Sequence, residues 1–545
     1  MSPAPSQTFD QAPFDGMRDS LDPTTSDARK ALLLQNCYAV PGPDGSEVVG
    51  RPGFTVLGAQ LGAGATRRVQ GFHQYTKVDG TELTVAFCGG LMYTLNWTTR
   101  VWTNVALVGV SLSTTAKVRC VTFADVMVVS DGVNRPWTYD GTTFVDLTNA
   151  PVAYGPPTVF YAKLFLIKNA DRRTMVWSEE NAPNTGYEAG GFANAWTLAQ
   201  TGSAGLERLL GTNEALYYWR ARSTGRITGT VTPDFVSAGT REGVSDTIGT
   251  TAPDAVTIYD DIIYFLSADG QPFALPTAGS LIDLWKELRE TSPTWPRAQL
   301  AKAQSVILTD INAVLIGVPG ANQTEMTSYV ALRHPASVVM GLWDGWTATA
   351  MGVVKDASGN MVFLHGTANG YAYDHGRADG TYWDNAHTAL DGGPTGVAHT
   401  VTGTPLGYSV QHEKMWDRLD ATFRLDTDLT AVQFDYETPR GQRAPLLLDL
   451  TGVGAAMWDV SLWDEGRFSA GALERQQSIG LAGYGRWMRP RWRHQVLGER
   501  LGLVAIAASG FLQPGEASRV TEATAVFDGF FYDGVLTHDG AALYG

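Results

Sequence analysis

Two adjacent carboxylate pairs, Glu179-Glu180 and Asp260-Asp261, are the residues whose type best suits acid–base chemistry. Glycoside hydrolysis needs two carboxylates facing one pocket. On strands, neighbouring residues point to opposite faces, so neither pair converges simply. Acids at turns more often accept backbone N–H bonds. Among the nine histidines, His365, His375 and His399 form a loose cluster without the two-ligand spacing of a zinc site. Asp356-Ala357-Ser358-Gly359-Asn360 lacks the distal acid of a calcium loop and reads as a hairpin turn. There is no Gly-rich phosphate loop followed by Lys-Ser/Thr and no nucleophile elbow. The expectation is a non-enzyme with no catalytic residue, no metal and no cofactor.

One basic-aromatic stretch stands apart: Arg486-Trp487-Met488-Arg489-Pro490-Arg491-Trp492-Arg493-His494. In an extended chain Trp487, Arg489, Arg491 and Arg493 share one face, and Trp492 lies on the other. Arg486, Arg489, Arg491 and Arg493 could contact nucleic-acid phosphates while the indoles stack on bases. Pairing with acids of a neighbouring subunit is the favoured alternative, because the chain is acidic overall.

The net charge is −15, and such a surface repels phosphate rather than gripping it. A sequence-specific DNA binder is therefore not expected, whereas a channel that DNA slides through without sticking is compatible. Cys37, Cys88 and Cys120 are odd in number and in no redox or metal spacing, which fits free thiols in a reducing compartment. The opening MSPAPSQTFDQAP has neither a basic start nor an apolar stretch, so no signal peptide is expected. The apolar run from Leu501 to Leu512 is too short to span a bilayer and reads as a core strand.

Sixty glycines, 16 tryptophans and 20 tyrosines with only 17% charged residues describe turn-rich all-β protein. The unit from Lys117 to Asn149 shows the pattern. Four strand-like runs are separated by Ala124-Asp125, Asp131-Gly132 and Asp140-Gly141, and Asp-Gly is a tight-turn signal. Its second run, Val126 to Ser130, is almost wholly apolar, as a strand buried on both faces should be. Equivalent apolar runs recur at Leu83–Phe87, Leu164–Ile167, Ala215–Trp219, Ile262–Leu266, Val314–Gly317 and Met361–Leu364. The period of roughly 45 residues suits a four-stranded blade. A sheet this small cannot bury both faces alone, and a ring of such sheets is a β-propeller. The count is about seven units, with six possible, over residues 67–385. Stacked β-sandwiches with chance periodicity are the competing architecture.

Around this core, residues 1–66 read as an N-terminal arm and clasp, with a short helix expected through Ala28–Leu33 after Ser26 or Asp27. Leu281 to Leu288 carries apolar residues at helical spacing, so a helical insertion is expected near 281–290. A Gly/Pro/Thr-rich shift near residue 386 marks a boundary, with a C-terminal β-sandwich over 386–515. The tail 516–545 repeats an aromatic-or-His, Asp, Gly step at Phe527, Tyr532 and His538, and reads as an extended strap.

Asn36-Cys37-Tyr38, then a turn, then Arg51-Pro52-Gly53, resembles the opening of tail hub or nozzle (packaged-DNA stabilisation) proteins of short-tailed bacteriophages. Gly249, Pro253, Val256, Tyr264-Phe265-Leu266 and Asp269-Gly270 also follow the order found in that family, so the resemblance covers residues 30–290. It implies a structural virion protein: a ring, usually hexameric, below the head-to-tail adaptor, near tail fibres or spikes, assembled in the host cytoplasm. The ring would extend the DNA channel, pass double-stranded DNA without specific contact, and retain the genome until ejection. Asn36, Tyr38, Arg51, Phe527 and Tyr532 become candidates for partner contacts, with arm and strap gaining order on assembly. A receptor- or carbohydrate-binding tail protein is the alternative, because exposed Trp and Tyr at blade mouths suit sugar stacking. A propeller glycosidase ranks third.

Overall fold

Apolar second strands dictate the architecture of this computed structural model, because each must be covered on both sides. The structure describes residues 6–11, 16–18, 30–42, 45–62, 66–186, 194–198, 205–229, 240–277, 279–284, 286, 288, 291–321, 323–335, 338–375, 383–385, 394–396, 398–402, 414–424, 431–450, 474–485, 487–495 and 502–512. The expected strap, with Phe527 and Tyr532, and the basic residue Arg486 lie outside them.

Seven four-stranded antiparallel blades form a β-propeller. The first comprises Val69–Thr76, Glu82–Cys88, Leu91–Asn96 and Val101–Val105. The second comprises Arg119–Phe123, Val126–Ser130, Trp137–Tyr139 and Phe144–Asp146. Blades 3, 4 and 5 open on Ala153–Phe160, Leu206–Gly211 and Val256–Tyr259, and blade 6 on Gln304–Leu308. These opening strands stand innermost. That of blade 1 packs against its counterparts in blade 2 and in blade 7, which closes the circle. Every apolar run identified in the sequence is the second strand of its blade: Lys163–Lys168, Ala215–Arg220 and Ile262–Leu266 are buried along nearly their whole length. Blade faces meet through aromatic side chains; Trp219 lies edge-on to Phe265 of the next blade at 5.9 Å.

Blade 7 supplies only three strands of its own, Ala350–Lys355, Met361–Gly366 and Ala372–Asp374. Its fourth is Thr55–Val56, reached from the N-terminal side, with Tyr373 opposite Val56 and Asp374 opposite Thr55. The first blade is pinned to this closure. Trp102 donates its indole N–H to the Leu57 carbonyl at 2.8 Å, and Arg100 pairs with Asp374 at 3.2 Å.

Beyond the propeller, blade 6 does not end at its outer strand, Val338–Trp343. Leu33–Gln35 adds alongside it in parallel, then His399–Thr402, Arg489–His494 and Ala431–Thr438 continue the same ten-stranded sheet. A second sheet, ordered Glu474–Gly485, Lys414–Arg424, Gly502–Leu512, Gly45–Gly50 and Cys37–Gly42, packs over it. Phe423 of one layer meets Trp492 of the other at 5.4 Å, and Trp492 also sits 4.4 Å from Phe434. The expected core strand is Gly502–Leu512, central in its sheet. Ser6–Gln11 pairs along the same strand, from Ser6 opposite Phe511 to Gln11 opposite Ile506, so this part of the arm is a strand of the sandwich.

Two helical expectations are corrected. Lys30–Ala31 pairs in parallel with Gly16–Met17, and Leu33–Gln35 is a strand, so no helix runs through these residues. Ile282–Asp283 is the outer strand of blade 5, opposite Phe273 and Ala274. The strand takes the start of the expected insertion, and residues 285, 287, 289 and 290 lie outside the described ones; Leu284 and Leu288 enter the core beside Trp295 and Leu300, which belong to the turn and 3-10 segments that follow.

Candidate functional site

Alternation fixes the basic strand as anticipated. Along Arg489–His494, Arg489, Arg491 and Arg493 face outward while Pro490, Trp492 and His494 are buried. Their partner strand, Ala431–Thr438, places Glu437 opposite Arg489, Asp435 opposite Arg491 and Gln433 opposite Arg493. Arg491 Nε and Arg493 Nη2 flank the buried Asp435 carboxylate at 3.4 and 3.5 Å, and Arg489 meets Glu437 at 3.3 Å while lying over the Trp487 ring. The acids that neutralise this strand therefore belong to the same chain, where the sequence pointed to a neighbouring subunit. Removing one member of such a pair strands the other, so the ladder fixes register more than it recruits a ligand.

Asn36, Tyr38 and Arg51 were expected to meet a partner; all three are buried, at 2%, 3% and 1% exposure. They form the junction of arm, propeller and sandwich. Asn36 takes a left-handed backbone at φ 55, which turns the chain from Leu33–Gln35 into Cys37–Gly42. Arg51 donates Nε to Asn36 Oδ1 at 2.9 Å, Nη1 to the Pro52 carbonyl at 3.1 Å and Nη2 to the Asp344 carbonyl at 3.0 Å. Asn36 returns Nδ2 to Asp344 Oδ1 at 2.7 Å, and Gln35 donates to Asp344 Oδ2 at 2.5 Å. The Arg51 guanidinium also lies 4.6 Å from the Trp346 ring centre. Gly341 allows the arm this close: a Cβ there would stand 2.0 Å from the Cys37 carbonyl oxygen.

Histidines 365 and 375 do come together, with Nδ1 and Nε2 at 2.7 Å, but among aromatic rings rather than other ligands. Phe54, Tyr373, Phe363 and Trp346 surround them. Burial, with Arg51 nearby, pulls His365 down to about 3; burial and then His365 itself hold His375 well below the ordinary imidazole value. His399 is elsewhere, 3.5 Å from His494. No group of three or more metal-ligating side chains gathers among the described residues. The acid pairs sit at turns. Asp260 has φ 48 and lies 3.2 Å from His334, while Glu179 accepts from Asn194 at 2.9 Å. Asp356 accepts the N–H groups of Ser358 and Asn360 at 2.8 Å, closing a hairpin.

The polar feature that sequence reasoning missed lies at one mouth of the propeller channel. Arg119, first residue of the innermost strand of blade 2, reaches across to Asp254, just before the innermost strand of blade 5, with two bonds of 2.8 Å. Lys117 adds a third contact at 3.2 Å. Burial raises the Asp254 carboxyl, but the two cations outweigh it and hold it far below the carboxylate range; burial brings Lys117 down to about 8 against the pull of Asp254. Alongside, Tyr154 donates to Glu207 at 2.8 Å, and Arg172 pairs with Glu207 while covering the Tyr154 ring. Nothing in the one-dimensional order places residue 119 against residue 254; only ring closure does. A separate cleft of 340 Å³ lies at the junction, lined by Leu33, Gln35, Trp295, Tyr329, Trp343 and Asp344 among others.

No helix among the described residues is long and apolar enough to cross a membrane. No family model matches the chain, and no curated protein does. Solved structures with similar arrangements include the extracellular domain of a hybrid two-component system from B. thetaiotaomicron, at 10% identity and TM-score 0.39, over 67% of this chain and 43% of that one. The computationally designed Ika8 protein matches at 10% identity and TM-score 0.35, over 58% of this chain and 98% of its own. A chain of the S. cerevisiae Dbp5 structure bound to Nup159 matches at 11% identity and TM-score 0.37, over 59% and 95%. The present chain thus spans under half the length of the first of these, and none of the three bears on its activity.

Proposed function

We propose that the chain is a structural virion protein, a tail hub or nozzle subunit of a bacteriophage. Six copies would form a ring below the head-to-tail adaptor, extend the DNA channel and retain the genome until ejection. The observation that carries this reading is the course of the N-terminal segment. Ser6–Gln11 joins the sandwich, Leu33–Gln35 bridges sandwich and blade 6, and Thr55–Val56 completes blade 7. Propeller and sandwich share one sheet and are stitched by one strand-forming segment, which suits mechanical rather than catalytic work. In this reading double-stranded DNA passes between subunits, because Arg119 and Asp254 span the channel of the single propeller.

The motif residues Asn36 and Arg51 then act indirectly, by setting the angle at which the two domains are presented to neighbours. Native mass spectrometry and negative-stain imaging of the purified chain, alone and with the adaptor of the same particle, test the proposal. A six-fold ring docked on the adaptor is the expected result. A monomer at all concentrations that ignores the adaptor overturns it.

A further inference from the structure

Four cations crowd the channel mouth that Asp254 closes. Arg119 and Lys117 contact its carboxylate directly. Arg208, two residues into the innermost strand of blade 4, lies within electrostatic range of both Asp254 and Arg119. Arg68, just before the innermost strand of blade 1, lies within range of Lys117 and also feels Glu325. The neighbouring Glu207 is matched by Arg172. Asp131 also lies within range of Arg119, so the four cations face three carboxylates, Asp254, Asp131 and Glu325, a small local excess of positive charge in a chain whose total is −15.

Arg208 carries the argument further. It donates Nη1 to the Pro156 carbonyl at 3.1 Å, but its Nε is buried without a hydrogen-bond acceptor. Arg68 donates only to the hydroxyl and carbonyl oxygens of Thr324, both at 3.0 Å, and no carboxylate pairs with it among the described residues. A buried guanidinium nitrogen without an acceptor, as at Arg208, is costly, and a low-dielectric mouth strengthens the attraction for an anion. Guanidinium forks and an ammonium converging from different blades match the several oxygens of a phosphoryl group.

We infer that this mouth is a binding site for a phosphoryl anion, held by Arg208, Lys117 and Arg68 above the Arg119–Asp254 pair. The occupant is a small or terminal phosphate group, since the ion pair bars a duplex from threading.

Isothermal titration of the full chain with pyrophosphate tests this, with a 5′-phosphorylated oligonucleotide as a second arm. Saturable binding is expected, weakened at least tenfold in Arg208→Gln and several-fold in Lys117→Gln. Arg297→Gln, which disturbs only an exposed pair with Asp269, should leave it unchanged. The Lys117 side chain is 23% exposed and lies ahead of its blade's first strand rather than within it, so its variant remains informative even where Arg208→Gln fails to fold. Binding of the oligonucleotide only when phosphorylated would identify a nucleic-acid terminus as the source; binding of pyrophosphate alone would identify a free anion. Absence of saturable binding for both probes, or affinity untouched by both mouth variants, overturns the assignment.

Discussion

At the clasp, the Arg51 guanidinium donates to neutral acceptors, and the nearby histidines are held uncharged. At the channel mouth, Arg119 and Lys117 keep their charge and meet a carboxylate. Both places bury strong donors. The first is stabilised by packing and by acceptors fixed in the backbone, the second by opposite charges brought from blades that are distant in sequence. The contrast teaches how differently the two respond to solvent conditions: the clasp is vulnerable to protons, the mouth to loss of a partner charge.

Four measurements would break or sharpen that contrast. Asp254→Asn leaves two buried cations facing each other without a carboxylate. It should cost about 3–5 kcal/mol in urea unfolding, as for other broken buried pairs; a loss under about 1 kcal/mol would show that water already screens the mouth. Arg51→Met keeps the side chain's bulk but removes the donors to the Pro52 and Asp344 carbonyls and one of the two to Asn36 Oδ1, which retains the Asp344 N–H at 2.8 Å, for a loss of about 3 kcal/mol in the same assay. If Arg51→Met were neutral, the clasp would not depend on hydrogen bonding. Gly341→Ala tests the tight approach of arm and blade, and should cost about 1–3 kcal/mol through overpacking against the Cys37 carbonyl.

Acid provides the fourth test. His365 and His375, with folded values far below the ordinary imidazole value near 6.5, bind fewer protons folded than unfolded. Their contribution is fully present above that value and is lost progressively as pH falls toward about 3. Each should add roughly 1.4 kcal/mol of destabilisation per pH unit in that window. His375→Phe should flatten the slope of stability against pH, whereas an unchanged slope would remove the pair from the acid response.

Much of the fold was legible because its strongest signals are local. Val126–Val129 and Ile262–Leu266 are hydrophobic throughout, as strands covered on both sides require, and Asp140-Gly141 has the φ 100 glycine that its turn demands. The Arg489–His494 alternation likewise gave the correct buried face. What escaped was non-local. Thr55–Val56 is two residues long and has no pattern to read, yet it completes a blade. Leu281, Leu284 and Leu288 recur at helical spacing, yet Ile282–Asp283 between the first two is a strand, so the spacing there reports burial rather than helix. Arg51 read as an exposed contact because arginine is so seldom buried, and its acceptors at Asn36 and Asp344 are recognisable only once the chain has folded back.

The two-residue strand at Thr55–Val56 has a consequence for biogenesis. During synthesis it leaves the ribosome some three hundred residues before Tyr373 and Asp374, its ladder partners among the described residues, exist. Ser6–Gln11 waits longer still, for Gly502–Leu512. Early blades can therefore mature in sequence while the leading segment stays uncommitted; the torus locks only once residue 374 of 545 has been made, and the sandwich only near the end of translation.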